Sequence, residues 1–200
     1  MITTPVLLFY WTHLMKSMRI EISEVLRERK SEVTITFSVY FKDAPLWSKT
    51  EKLLEFEKFD IELDNDQTPR EVQLSIVHRA NKHDKRSIHV FSAKECKSGN
   101  SFLPTTADML VLLQRVIDQR KHQTGPVTVV CSNGATTSGL FVALSLILEK
   151  MKIDDQVDVF QVIRTIQLRR PEFVTNFDQY EYCYKCIKDL LEGQSVYANL

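Results

Sequence analysis

The sequence has few cysteines, no excess charge of either sign and no long hydrophobic run. Its four cysteines, at positions 96, 131, 183 and 186 of 200, are too few and too scattered for a disulfide framework, which favours reduced thiols in a cytosolic setting. Twenty-six basic and twenty-six acidic residues cancel, which argues against a nucleic-acid or membrane-surface role. The apolar segment at residues 5–11 is far shorter than the ~20 residues of a membrane-spanning helix and follows no basic leader, so we expect no direct membrane insertion.

The sequence also lacks the spacing of a metal site. Cys183 and Cys186 lie three residues apart, but no second cysteine pair or histidine pair accompanies them at zinc spacing. We therefore interpret both as half-buried helix residues and expect no metal and no other cofactor. The five histidines fall on predicted strands and turns without a nearby acid or nucleophile, so we assign none of them a catalytic role.

Hydrophobic patterning predicts one mixed α/β domain, because 200 residues leave little room for a second core. Alternation of polar and apolar residues predicts strands at residues 32–40, 56–63, 71–78 and 87–91. Polar residues at 64–66 and 81–86 predict the turns of an antiparallel meander. Residues 127–130 form a short β-branched run, which is typical of a buried central strand.

Apolar residues at helical spacing predict helices after the meander and around the central strand. The expected helix starts are residue 14, Thr105 or Thr106, Gly139, residues 154–155 and Asn176. Asn176 with Gln179 three residues later resembles a capping box, and Pro171 stops the helix before it. The helix after Gly139 is apolar nearly all round, so we expect it to be central.

Residues 127–139 join a predicted strand, a short loop and a predicted helix, with Cys131 at the end of the strand. The amides of such a loop and the positive end of the next helix converge on an anion, so the segment is a candidate phosphate cradle. The same features stabilise a thiolate, which makes Cys131 the candidate nucleophile. The loop contains no cation. The candidate cradle residues are Ser132, Asn133, Gly134, Ala135, Thr136, Thr137 and Ser138.

The order of these segments resembles the protein tyrosine phosphatase family. That family's signature is His-Cys, five residues, Arg, Ser or Thr, Gly, and here it reads Val130-Cys131 through Thr137-Ser138-Gly139. Residues 157–162, 168–171 and 177–184 resemble the helices that follow the signature, at matching distances. The resemblance covers about residues 47–192 and implies a twisted mixed β-sheet flanked by helices.

Two departures from the signature bear on catalysis. The family's arginine clamps the phosphoryl oxygens through two hydrogen bonds, and a neutral hydroxyl at Thr137 cannot replace that fixed planar cation. Cationic clamps of this kind contribute on the order of 10³–10⁵ in rate. The histidine that precedes the cysteine is replaced by Val130, which removes a partner that the resemblance implies for the thiolate.

The acid loop and the glutamine segment depart as well. The family's Trp-Pro-Asp corresponds to Ala93-Lys94-Glu95, so Glu95 is the candidate general acid, without the tryptophan hinge and rigid proline. The glutamine that places the hydrolytic water falls at Thr175, whereas Gln179 keeps the family's second glutamine and is the candidate water-positioning residue.

Upstream, the sequence lacks a Lys-Asn-Arg-Tyr recognition loop, and residues 1–46 do not match the family's opening helices. We therefore predict a divergent segment of uncertain fold at 1–46, a phosphatase-like domain that is N-terminally truncated or diverged at 47–192, and a tail at 193–200. The resemblance is to a degenerate second, membrane-distal domain of receptor-type phosphatases, such as that of the leukocyte common antigen.

This resemblance implies a catalytically inactive domain with a regulatory or interaction role in phosphotyrosine signalling. Its partners are expected to be phosphotyrosine proteins or an active sister phosphatase domain, on the cytoplasmic side of a membrane receptor, with no nucleic acid involved. Two alternatives stay open. One is a weakly active tyrosine phosphatase that forms a phosphocysteine at Cys131, and the other is a redox-sensing thiol domain.

Overall fold

The computed structural model describes residues 6–8, 33–37, 53–68, 71–93, 103–121, 126–131 and 133–198. Its described strands are β1 (Val6–Leu8), β2 (Val33–Phe37), β3 (Leu53–Glu55), β4 (Phe59–Thr68), β5 (Glu71–His78), β6 (Asn81–Ser92) and β7 (Val127–Cys131). Its described helices are α1 (Thr106–Arg120), α2 (Thr136–Asp154), α3 (Val159–Gln167) and α4 (Phe177–Ala198).

The seven described strands form one mixed sheet in the order β1-β7-β2-β6-β5-β4-β3. Strand β7 runs parallel to both of its neighbours, and β2 runs parallel to β6. Strands β3 to β6 pair antiparallel as a meander. The predicted mixed sheet flanked by helices is therefore confirmed. The predicted boundary between residues 46 and 47 stays a prediction, although the sheet includes strands from both sides of it.

All five residues of β7 are buried because both faces of this strand are covered. Val129 and Cys131 belong to the helix-side cluster, which contains the buried apolar residues of α1 to α4. Val130 points to the opposite face, as alternation along a strand requires. There it joins the opposite-side cluster, whose other buried members are Phe59, Ile61, Val72, Leu74, Ile76, Ile88 and Val90. A continuous apolar run is the sequence of a strand buried on two sides.

Helix α2 lies at the centre of the helix-side cluster. Its first turns are buried on every side, and Leu140, Leu144 and Ile147 are fully buried. It contacts β7, α1, α3 and α4. Its near-uniform apolar composition follows from that position, since a helix covered all round needs no polar face. No helix in the described part of the chain is long and apolar enough to cross a membrane.

The two turns predicted inside the meander are wrong. Strand β4 continues through residues 64–66 to Thr68, and β6 begins at Asn81. Residues 81–85 of β6 are mostly exposed, and oppositely charged side chains from separate parts of the meander pair there. Lys85 Nζ lies 3.4 Å from Glu62 Oε2, and Arg79 Nε lies 2.7 Å from Asp60 Oδ1.

Two predicted helix starts are also wrong. Helix α2 begins at Thr136, three residues before Gly139, and continues to Asp154. Residue Asp155 then takes a left-handed conformation with φ 54° and ends the helix. Helix α3 begins at Val159, because the Asp158 side chain accepts a hydrogen bond from the backbone N–H of Gln161 and caps it. The helix predicted from residue 14 lies outside the described residues.

Candidate functional site

The candidate site lies where β7 ends and α2 begins. Cys131 is the last residue of β7, a strand that runs parallel between β1 and β2. Ligands of open α/β sheets bind at the carboxyl ends of such strands, near the amino ends of the helices that follow. The chain thus brings the cysteine, the loop at 133–135 and the first turn of α2 to one place, as the sequence predicted.

The Asn133 side chain organises this loop. Its amide oxygen accepts hydrogen bonds from the backbone N–H groups of Ala135 and Thr136, at 3.0 and 2.9 Å. Its amide nitrogen donates to Thr136 Oγ1 at 2.7 Å. The Cys131 thiol donates to the same amide oxygen, with 3.5 Å between Sγ and Oδ1. Asn133 therefore satisfies two donors at the start of α2 that otherwise lack a partner within the helix.

Two glycines shape the loop for different reasons. Gly134 has φ 63°, in the left-handed region that favours glycine, and its N–H donates to the Cys131 carbonyl at 3.2 Å. Gly139 packs directly against Phe173, a side chain that is only 2% exposed. A Cβ atom at position 139 would lie 2.9 Å from the Phe173 ring. Gly139 is thus required by close packing between α2 and the segment after α3.

The two hydroxyl residues in the first turn of α2 are buried. Thr137, at the position of the family's arginine, is 7% exposed, and Ser138 is fully buried. Ser138 Oγ has no hydrogen-bond partner among the described residues. Neither side chain carries a charge. Among the described loop residues, an anion would therefore be attracted by the backbone amides and by the amino end of α2.

A nearby arginine is engaged elsewhere. The Arg170 guanidinium lies over the Phe173 ring, 5.6 Å from its centroid, and its Nε lies 3.6 Å from Glu172 Oε2. Val130, which replaces the family's histidine, is held in the opposite-side cluster, on the other face of the sheet from Cys131.

Gln179 caps helix α4. Its own N–H donates to Asn176 Oδ1 at 2.9 Å, and its side-chain oxygen accepts from the Thr175 N–H at 2.9 Å. The predicted capping interaction is confirmed, with Thr175 instead of Asn176 as the second partner. Gln179 is 7% exposed, and its role in positioning water stays a prediction. Glu95, Lys94 and Ser132 lie outside the described residues, so their predicted roles also stay predictions.

The three described cysteines are buried and form no disulfide bond. Cys183 and Cys186 are fully buried on α4, deeper than the half-buried positions that the sequence suggested. Burial raises the pKa of each of these two thiols to about 12. In the part of the chain that the structure describes, no group of three or more histidine, cysteine or acidic side chains could hold a metal ion.

These thiols are expected to be inert in the folded protein, because a buried thiol with a raised pKa supplies almost no thiolate at neutral pH. Iodoacetamide at pH 8, followed by peptide mass spectrometry, should leave Cys183 and Cys186 unmodified in native protein and alkylate both in urea. Rapid alkylation of either residue without urea would contradict this burial.

Sequence reasoning placed Cys131 and the loop correctly but missed two of its contacts. The role of Asn133 had a signal, since asparagine side chains often accept hydrogen bonds from backbone N–H groups two or three residues further along the chain. The prediction that α2 starts at Gly139 hid that signal. The contact between Gly139 and Phe173 had none, because the two residues are brought together only by the tertiary fold.

Comparison with known proteins gives a consistent picture. A family model described as protein-tyrosine phosphatase matches residues 10–189. Receptor-type tyrosine-protein phosphatase epsilon of Rattus norvegicus is 41% identical over 99 residues, which are 48% of this chain and 14% of that protein. The alpha enzyme of Homo sapiens is 36% identical over 99 residues, 48% of this chain and 12% of that protein. Tyrosine-protein phosphatase Lar of Drosophila melanogaster is 37% identical over 103 residues, 52% of this chain and 5% of that protein. The chain thus aligns with only a small part of each relative.

Proposed function

Because the chain belongs to the protein-tyrosine phosphatase family and is similar to its receptor-type members, we propose that it is a phosphatase-like domain without catalysis. Its role is regulation or interaction in phosphotyrosine signalling. The observation that carries this proposal is Thr137, a buried neutral residue where the family has its phosphate-clamping arginine.

The physical reason is the charge that phosphoryl transfer develops. A planar guanidinium makes two parallel charge-assisted hydrogen bonds to a phosphoryl group, and a hydroxyl makes one neutral bond at most. Cationic clamps account for on the order of 10³–10⁵ in the rate of such reactions. Val130 adds to the loss, since an apolar residue packed on the other face of the sheet offers no hydrogen bond to the thiolate.

The partners follow from the family. Phosphotyrosine-containing proteins are the first candidate partners, because the family recognises phosphotyrosine. An active sister phosphatase domain is the second candidate partner. Two of the relatives named above are receptor-type tyrosine-protein phosphatases, and we propose that the domain lies on the cytoplasmic side of such a receptor, as a degenerate membrane-distal domain. The balanced charge of the chain supports a protein partner over nucleic acid.

Turnover of para-nitrophenyl phosphate tests the proposal. The purified chain and its Cys131→Ser variant are expected to release nitrophenol at the same background rate, with an active family member as the positive control. Matching thermal melts of the two proteins would show that both are folded. Turnover that Cys131→Ser abolishes would overturn the proposal.

The same assay decides the second candidate function, a weak tyrosine phosphatase with Cys131 as nucleophile and Glu95 as acid. The position of Cys131 at the carboxyl end of β7, beside the loop, favours it. In that case the wild-type chain should turn over the substrate and the Cys131→Ser variant should not. Rapid acid quenching of the wild-type reaction should then trap a phosphocysteine at Cys131. The redox-sensing alternative has less support, because Cys131 is only 5% exposed and oxidants reach exposed thiolates first.

A further inference from the structure

Two backbone donors of the candidate cradle already have an acceptor within the loop. In the loop after Cys131, the N–H groups of Ala135 and Thr136 both point at one acceptor, the Asn133 amide oxygen, at 3.0 and 2.9 Å. Converging backbone donors at a helix start form the usual site for an oxyanion. Here a side chain of the same loop supplies the oxygen atom that an anion would supply.

We propose that Asn133 is a built-in occupant of the phosphate loop, which keeps the loop closed to oxyanions. The proposal rests on the proposed function and gives it a second cause, because the loop is blocked as well as lacking its arginine. The occupant is held at both ends, since the Asn133 amide nitrogen also donates to Thr136 Oγ1 at 2.7 Å. An intramolecular group of this kind competes at a high effective concentration with any free ligand.

The thiol takes part in the closed arrangement. The Cys131 thiol donates a hydrogen bond to the Asn133 amide oxygen, with 3.5 Å between Sγ and Oδ1. Asn133 therefore occupies the loop amides and faces the cysteine at the same time.

The Ser138 hydroxyl in the first turn of α2 is not used by Asn133. Ser138 is fully buried, and its hydroxyl has no hydrogen-bond partner among the described residues. A buried polar group without a partner is costly, and native proteins rarely keep one unless another group supplies the bond. A ligand in the opened loop is the candidate partner for this hydroxyl.

Tungstate, a tetrahedral oxyanion that is not hydrolysed, provides the test. Titration calorimetry should show no binding to the wild-type chain in the millimolar range and measurable binding to Asn133→Gly. Each hydrogen bond to a charged group corresponds to roughly ten- to hundredfold in affinity, so we expect at least about a tenfold gain. Glycine is the substitution of choice, because it removes the side-chain oxygen and adopts turn conformations readily.

Asn133→Asp is the matched control. Its carboxylate keeps the capping acceptor and adds a negative charge, so this variant should bind no tungstate while remaining folded. Alkylation of Cys131 by iodoacetamide gives a second readout. It should be faster in Asn133→Gly than in the wild type, and tungstate should slow it again.

The outcomes separate this inference from the proposed function. Equal tungstate affinity in the wild type and Asn133→Gly, with both proteins folded by their melting curves, would overturn the inference even if the chain shows no turnover. Conversely, turnover that depends on Cys131 would overturn the proposed function whatever the binding result. Tighter binding in Asn133→Gly alone, lost in Asn133→Asp, supports a closed loop.

Discussion

Replacing Leu144 with alanine is expected to lower the free energy of unfolding by about 2–5 kcal/mol. Leu144 is fully buried in the middle of α2, the helix that contacts β7, α1, α3 and α4. Removing its side chain loses the transfer energy of the buried carbons and leaves a cavity that four surrounding elements cannot easily fill. For a chain of this size each kcal/mol lowers the melting temperature by about 2–4 °C, so the shift should be about 4–20 °C.

Leu168→Ala is the matched control. Leu168 is also a leucine, but it lies at the end of α3 and is 85% exposed, and exposed substitutions change stability by within about 0.5 kcal/mol. Urea unfolding of both variants, followed by circular dichroism, measures the difference. If the two variants unfold at the same urea concentration, α2 is not the centre of the core.

The position of α2 shows what sequence patterns predict well. A strand of four β-branched or apolar residues and a helix without a polar face each have one physical explanation, which is burial on all sides. Both predictions are confirmed by the burial of β7 and of the first turns of α2. An element that is buried on all sides needs an apolar side chain at nearly every position, so it appears in the sequence as an uninterrupted apolar run.

The meander shows where patterns fail. Charged residues at 81–86 looked like a turn because turns and exposed strand faces draw on the same polar residues. They are in fact part of β6, where Lys85 forms an ion pair with Glu62 of β4, two strands away in the sheet. The partner of a cross-strand pair is distant in sequence, so no local window contains the information that places it.

The candidate site divides in the same way. Cys131 and the substitution at Thr137 are visible from the spacing of a short motif, because the chemistry of the cradle requires certain residues in sequence. The two hydrogen bonds from loop amides to Asn133 depend on the local backbone conformation over three residues. That conformation in turn depends on α2 starting at Thr136. A predicted start three residues later conceals it.

The loss of charge and the closed loop are consistent with each other. Without the arginine, an oxyanion in the described part of the loop would be held by backbone amides and the amino end of α2. The neutral Asn133 side-chain oxygen satisfies two of these donors without bringing a charge into the loop. The neutral residue at Thr137 and the contacts of Asn133 therefore both favour the proposed function.

Gly139→Ala is expected to destabilise the protein, although alanine is the better helix former. A Cβ at position 139 would lie 2.9 Å from the Cγ and Cδ1 atoms of Phe173 and 3.2 Å from its Cβ. These atoms belong to a side chain that is 2% exposed, so the closely packed core leaves it little room to move. Overpacking of this kind costs about 1–3 kcal/mol, which exceeds the gain of up to about 1 kcal/mol from helix propensity.

Gly193→Ala isolates the propensity gain. Gly193 lies on the exposed side of α4, and a Cβ there would meet nothing within 4 Å. This variant should therefore be stabilised by up to about 1 kcal/mol, so that the same substitution in two helices changes stability in opposite directions. Thermal and urea unfolding of both variants measure the two signs.

A double variant locates the cause of the Gly139→Ala effect. Phe173→Leu alone should be destabilising, because it shortens a buried aromatic side chain. In the Gly139→Ala background the same change should cost less, since the smaller side chain makes room for the new methyl group, and the coupling energy should be about 0.5–3 kcal/mol. Strict additivity of the two single effects would mean that the methyl group does not meet Phe173. Favourable coupling would show that the end of the phosphate loop is fixed by packing against the segment after α3, which keeps its shape without the arginine that the family uses there.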